Sequence, residues 1–367
     1  MANEDANVLP KSYPMVGADG PLSYTKNSQI QRGVVDGANE LVSEAISEKL
    51  DMKILQFGTS NDFRIADFGC SVGPNTFIAM ENIIDAVEKK LNNAEHQPSA
   101  VEFQVFFNDH SNNDFNTLFR TLPPSRKYFA AGVPGSFHGR LFPKSFLHIS
   151  HSSSALHWLS KVPEEIVNRK SPAWNKGNIQ CTGFVKEVVE AYFGQFKIDM
   201  ESFLNARAEE LVPGGLLIIL RSTLPNGVHF SNTFKGKLYD LLGSCLNDMA
   251  KMGLISEEKV DSFNFPIYYP SPEEFEAVIQ RNGKFTIEKT SLFIIPMKDI
   301  AVSIQFGVSQ VRAVYEGVIQ QHFGNELADQ VFNYFNTKFE ENIFTILEEK
   351  CDNRVELFMV LKRKCLA

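Results

Sequence analysis

Phe63-Arg64-Ile65-Ala66-Asp67-Phe68-Gly69-Cys70-Ser71-Val72-Gly73-Pro74-Asn75-Thr76 is the stretch that decides the fold. A short apolar run ending on an acid and a glycine reads as a buried strand that turns sharply into a helix. The helix is predicted over about 76–91. Outward from it, 101–107 is a second strand ending at Asn108-Asp109, and 128–133 a third ending at Pro134-Gly135-Ser136. Residues 146–151 form a fourth. A long helix is predicted over about 185–211, and Pro213-Gly214-Gly215 breaks the chain before a fifth strand, wholly apolar, at 216–220. Residues 285–287 and 355–361 read as the last two strands. Near the start, Ile30, Val34, Ala38, Leu41, Ala45 and Ile46 share one face of a single helix over about 29–50.

Strand alternating with helix means an α/β fold with a parallel sheet covered on both faces. The apolar run 216–220 agrees, because a central parallel strand is buried on both sides. The sheet core takes about 60–221, 283–292 and 353–363 of one domain spanning 1–367. The helical segments at about 1–50, 222–282 and 299–346 exceed what such a core needs and are expected to form a cap. Ligands in these folds bind beyond the carboxyl ends of the strands. Chemistry is therefore sought just after strands one to four.

Composition narrows the field. The 367 residues carry a net charge of −8, which disfavours a nucleic-acid binder. No run of 18 apolar residues is present, so no membrane span is expected. Met1-Ala2-Asn3-Glu4-Asp5 has neither the basic nor the apolar region of a signal peptide. Cys70, Cys181, Cys245, Cys351 and Cys365 are odd in number and scattered, which suits a reducing compartment, the cytosol. Phe supplies 31 residues against nine Tyr and two Trp, which fits a dry core or an apolar ligand cavity.

The first strand-end motif is not G-x-G-x-x-G, and a dinucleotide pyrophosphate disfavours a carboxylate beside it. Asp67 before the turn suits a cationic, hydroxylated ligand instead. S-adenosylmethionine, with its ammonium, sulfonium and ribose and no phosphate, meets that description. Asp67 capping a tight turn is the plainer alternative. Asp109 can take two ribose hydroxyls as a bidentate acceptor, or cap its own turn. Ser136 and Phe137 offer a hydroxyl and a ring face for an adenine slot, or form a turn. After strand four, His157 and Trp158 are adjacent N–H donors able to orient a carboxylate or a heterocyclic oxygen. Trp158 in the core is the alternative.

Beyond these readings, the whole chain resembles the plant SABATH methyltransferases. Matching blocks run in order: Ser23-Tyr24-Thr25-Lys26-Asn27-Ser28-Gln29-Ile30-Gln31, residues 65–75, 107–116, 132–143 and 156–163, Asn175-Lys176-Gly177-Asn178, Asp261-Ser262-Phe263-Asn264 and His322-Phe323-Gly324. The stretch 108–116 looks most like the loganic acid branch. The resemblance implies a Rossmann-like class I methyltransferase sheet of seven strands, the last antiparallel, with a helical cap. It implies that Tyr24, Cys70, Asn75, Asp109, His110, Ser136 and Phe137 contact S-adenosylmethionine, with Asp67 beside it. Gln31 and Trp158 match residues that hold the substrate carboxylate, with His157 in the same pocket. Asn175, Asp261, Phe263 (through its carbonyl) and Asn264 match a Mg2+ site, and a homodimer is implied.

Two departures stand out. The family usually has Tyr where this chain has Ser154, and often Lys where it has Val16. The first enlarges or rewets the pocket, and the second removes a cation from the cofactor side. The reaction expected is carboxyl O-methylation of a small plant acid, with no catalytic base. Two alternatives are methylation of a ring nitrogen, as on a xanthine, and a relative that binds without turnover. His229, Tyr268, Tyr269 and Phe306 are further candidates for the pocket wall.

Overall fold

The computed structural model describes residues 13–51, 62–92, 101–295, 304–348 and 355–365, with side chains given for all of these except 304–306 and 343–348. Met1 to Asp5, Cys351 and the side chain of Phe306 lie outside what is described.

Seven strands form one sheet in the order β3-β2-β1-β4-β5-β7-β6. They are β1 (Asp62–Phe68), β2 (Glu102–Asp109), β3 (Tyr128–Pro134), β4 (Leu147–Ser153), β5 (Leu211–Ser222), β6 (Phe285–Ile294) and β7 (Val355–Arg363). The first five are mutually parallel, and β7 runs antiparallel between β5 and β6. This is the seven-stranded class I methyltransferase sheet that the resemblance implies. Order reverses between β1 and β4, so the ends of β1, β2 and β4 open onto one crevice.

Helices α1 (Gln29–Gly37), α2 (Asn39–Lys49) and α3 (Pro74–Asn92) cover one face; α4 (Phe115–Arg120) follows β2. Their core joins Val34, Ile46, Met80 and Val87 to Ile65, Val105 and Ile218 of the sheet. On the other face α5 (Lys186–Glu210) and α8 (Pro272–Asn282) pack Phe196, Phe203 and Phe275 against Phe68, Leu217 and Met359. A third apolar cluster joins α6 (Phe234–Lys251), α7 (Glu257–Asp261), α9 (Ile304–Phe323) and α10 (Asn325–Glu348) through Leu242, Val260, Ile319 and Phe335. Of the segments expected to form a cap, that cluster gathers α6, α7, α9 and α10, whereas α1, α2 and α8 pack on the sheet faces. No helix among the described residues is long and apolar enough to cross a membrane.

Two local expectations fail for identifiable reasons. The single helix over 29–50 is two, joined at Ala38, which caps both without a side-chain bond. Beside the break the Phe293 ring lies 3.3 Å from where a Cβ on Gly37 would sit, so a side chain there would press on the ring, and glycine weakens the helix at this point. Pro213-Gly214-Gly215 does not precede β5 but lies inside it. The pairing with β4 shifts register between Leu147 and Ile149, and Gly214 has φ +79°, so an irregularity absorbs the proline within the strand.

Candidate active site

The ends of the first three strands are stitched together by Asn108. Its carbonyl accepts from the amides of Gly69 (2.9 Å) and Cys70 (3.0 Å). Its Nδ2 donates to the carbonyls of Val133 (2.7 Å) and Gly135 (2.9 Å). Asp109 is thereby held at the crevice. It accepts from the amide of Ser71 at 2.8 Å and from that of His110 at 2.8 Å. Burial pushes its carboxyl up, and those two amides pull it down. A carboxylate offers about four lone-pair sites, so two stay available for hydroxyl donors.

The turn after β1 demands unusual backbone. Gly69 has φ +85°, and a Cβ on it would lie 2.3 Å from Cβ of Ala155 in the turn after β4. Ser71 and Ser154 stand in the left-handed region at φ +53° and +54°. Non-glycine residues held there are concentrated at functional sites.

Two cavities meet at these strand ends. The first is lined by Tyr24, Asp109, His110, Ser136 and Phe137, all expected from the sequence, and by Gly69, Ser71 and His138. Asp109 is the acid of that wall, and no Lys or Arg lines it among the described residues. Burial holds the His138 imidazole below its usual range, against the pull of Asp199. The remaining three expected cofactor residues stand behind the wall. Cys70 is buried with its thiol pushed up by burial. Asn75 donates to Oγ (2.9 Å) and the carbonyl (3.1 Å) of Ser28. Asp67 accepts from Thr76 Oγ1 (2.5 Å) and meets His151 Nδ1 (2.7 Å).

The second cavity brings together Gln31, Ser154, His157 and Trp158, as expected, with Lys235, Leu238, Gln310 and Tyr315. Lys235 is its cation, and no Asp or Glu lines it among the described residues. Gln31 Oε1 and Ser154 Oγ are buried without a hydrogen-bond partner among the described residues. Buried polar atoms are normally paired, and a bound ligand is one partner that would satisfy these two. Met15, Tyr24, Ser154 and Trp158 line both cavities and form their common wall.

The segment at 13–16 roofs this wall. The Tyr13 ring stacks on Trp158 at 6.2 Å and 25°. The amide of Val16 donates to the Ala313 carbonyl of α9 at 2.9 Å. The free volumes are only about 70 and 80 Å³. Pockets for whole small molecules run to roughly 300–1,000 Å³, so each cavity as it stands is smaller than a whole small molecule needs.

Sequence reading missed Tyr13, Met15, Lys235, Gln310 and Tyr315. They sit in a polar leader and in cap helices whose register no local motif sets. Of the pocket candidates, His229, Tyr268 and Tyr269 line a separate cavity, not this one.

The magnesium expectation is not supported. Asp261 is paired with Arg169 at 2.9 Å. Asn175 presents its Nδ2, which donates to the carbonyls of Gln180 (2.7 Å) and Asn178 (3.3 Å) and to Asn264 Oδ1 (2.7 Å). Asn264 Oδ1 also lies 3.4 Å from the Tyr192 hydroxyl. Asn264 Oδ1 is thus occupied and the only acid of the set paired, so Asn175, Asp261, Phe263 and Asn264 do not stand arranged as an oxygen cage for a hard cation. Among the described residues no group of three or more His, Cys, Asp or Glu converges on a metal position.

Comparison with known proteins agrees with this geometry. The family model described as SAM dependent carboxyl methyltransferase matches residues 10–364. The chain is 50% identical over 356 residues to loganic acid O-methyltransferase of Catharanthus roseus, covering 96% of this chain and 95% of the relative. It is 46% identical over 352 residues to farnesoic acid carboxyl-O-methyltransferase of Arabidopsis thaliana, covering 96% and 99%. A solved structure, loganic acid methyltransferase with SAH, matches with a TM-score of 0.90 at 50% identity, covering 96% of this chain and 99% of that one. The family match over residues 10–364 and the 50% identity over 96% of its length show where it stands: the chain belongs to the SAM dependent carboxyl methyltransferases, the SABATH family.

Proposed function

We propose that this carboxyl methyltransferase esterifies a small plant acid of the iridoid, loganic type, and that Gln31 and Trp158 aim the carboxylate. The observation that carries the assignment of roles is the shared wall of Met15, Tyr24, Ser154 and Trp158 between two oppositely charged cavities. Asp109 in the first suits a cationic, hydroxylated cofactor, and Lys235 in the second suits an anion. When bound, S-adenosylmethionine supplies a methyl group on a positive sulfur, which a carboxylate oxygen displaces to give the methyl ester and S-adenosylhomocysteine.

The carboxylate of a small acid, with an ordinary pKa near about 4, is ionised at neutral pH, so this transfer needs no base from the protein. The protein's work is placement. Gln31 and Trp158 hold the oxygen that does not attack, and His157 closes the same side. Tyr24, His110, Ser136 and Phe137 hold the cofactor with Asp109. Asp67, Cys70 and Asn75 support the turns that place them. Fixing the reactants in line is worth roughly 7–11 kcal/mol. The roof at Tyr13 and Met15 keeps water out. The iridoid assignment draws support from the 50% identity to a loganic acid O-methyltransferase. Mg2+ has no part in this reading. A homodimer and a cytosolic location belong to it as implied by the resemblance and by the free buried thiols of Cys70, Cys181 and Cys245; light scattering reads the first and a fluorescent fusion the second.

The test is incubation with methyl-labelled S-adenosylmethionine and a panel of iridoid, benzoic, indole and fatty acids. Extractable label that mild alkali removes, greatest with iridoid acids, is the expected result. Label that survives alkali overturns esterification in favour of transfer to nitrogen. Alkali-labile label on another acid class overturns the iridoid assignment alone.

A further inference from the structure

Behind the acceptor cavity lies another, of about 330 Å³, that shares only Tyr239 with it and nothing with the cofactor cavity. No step of methyl transfer uses it. Its wall is aromatic. Phe230 and Tyr269 stack at 4.9 Å and 20°, and Tyr268 stands beside them. Its rim is apolar and exposed: Val228 is 39% exposed, and Phe184 and Val185, next to the lining Gly183, are 59% and 42%. Apolar side chains gathered at the mouth of a cavity mark a ligand entrance more often than chance exposure.

One polar side chain of the wall has its orientation fixed. Gln180 Nε2 donates to Asp240 Oδ1 at 2.5 Å and to the Gly236 carbonyl at 3.2 Å, so the other end of the amide is the oxygen. That Oε1 is buried and has no hydrogen-bond partner among the described residues, although Gln180 as a whole is 3% exposed. A buried acceptor left unpaired costs about 1–3 kcal/mol, which a ligand donor recovers.

Charge separates this cavity from its neighbour. Glu274 lines it, and no Lys or Arg does among the described residues. Lys235 lines the acceptor cavity instead, its Nζ 3.2 Å from the Tyr269 hydroxyl. An anion is therefore less favoured in this cavity than in the acceptor cavity.

We propose that this cavity is a second small-molecule site, taking a flat, uncharged aromatic compound with one O–H or N–H donor, of the phenol or indole type. The ring lies against Tyr268, Tyr269 and Phe230, and the donor meets Gln180 Oε1. Glu274 in the wall disfavours carboxylic acids, so its ligand differs from the methyl acceptor.

The experiment is calorimetric titration of the whole chain, saturated with S-adenosylhomocysteine, with indole as the probe. One indole per chain is expected, undisplaced by excess benzoate. Val228→Trp, which fills the exposed rim, and Gln180→Met, which removes the acceptor, each weaken indole about tenfold or more. Both leave S-adenosylhomocysteine affinity within about twofold. Val228→Trp alters only surface, so it reads the site even where Gln180→Met fails to fold. No indole binding up to its solubility limit, displacement by benzoate, or unchanged affinity in Val228→Trp overturns the proposal. None of these outcomes bears on whether the chain esterifies an acid.

Discussion

The carboxyl group of Asp67 meets Nδ1 of His151 at 2.7 Å, with both side chains buried and the second carboxyl oxygen taken by Thr76. The acid expected beside the cofactor ties the ends of β1 and β4 together.

Asp67→Ala should therefore lower stability by about 3 kcal/mol, because it leaves a buried polar partner uncompensated. S-adenosylhomocysteine affinity falls with it. The double variant with His151→Ala should show a coupling energy of about 1–3 kcal/mol in denaturant melts. Additive effects would mean that the two side chains act independently.

Gln31 lines only the acceptor cavity, whereas Trp158 lines both. Gln31→Ala is thus the cleaner variant. It should raise KM for the acid about 10- to 100-fold, the worth of a hydrogen bond to a charged group, and leave S-adenosylhomocysteine affinity unchanged. Trp158→Ala should raise KM as well, and calorimetry should find cofactor affinity weakened too.

Ser154 lines both cavities. Ser154→Tyr should fill the common wall and cut kcat/KM for bulky acids about tenfold or more, with less effect on small ones. Equal losses across acids of different size would mean the residue does not set pocket size.

Gly69 is the tightest point of the crevice. Gly69→Ala should cost at least about 2 kcal/mol, from a left-handed backbone and an overpacked contact. Adding Ala155→Gly removes the contact and should restore part of the loss, leaving the backbone term. Thermal melts of the two variants separate the contributions.

His148 is a buried histidine that accepts the Arg64 amide at Nδ1, at 2.9 Å. Burial first, then the Arg64 guanidinium, lowers its pKa to about 4. The unfolded value is about 6.5. The folded state favours the neutral ring, so this contribution is complete above about pH 6.5 and is lost as pH falls toward about 4. Its slope is at most about 1.4 kcal/mol per pH unit. Denaturation of His148→Asn against pH should show a flatter profile across that window.

How far the sequence reaches depends on whether the determinant is local. A strand carries its own apolar period, and β1 and β3 also carry a glycine directly after them, so each of the seven strands is legible and differs mainly at its ends. Pro213 misled because the irregularity that accommodates it lies in the pairing of β4 with β5, not in the residues around it. Asp109 and Trp158 were findable because sheet topology places strand ends at the crevice whatever the loops do.

The amino-acid sequence by itself determined the α/β class, the strand ends that carry the site and, through ordered motifs, the methyltransferase family. Only the tertiary structure decided which side chains face which cavity. It turned Asp67 inward to His151, brought Tyr13 over Trp158, and put Lys235 in the acceptor wall with Tyr268 and Tyr269 behind it. The physical reason is that secondary structure follows from short-range periodicity and backbone sterics. The inward direction of a cap residue is set by packing between helices far apart in sequence, through contacts that no local pattern encodes.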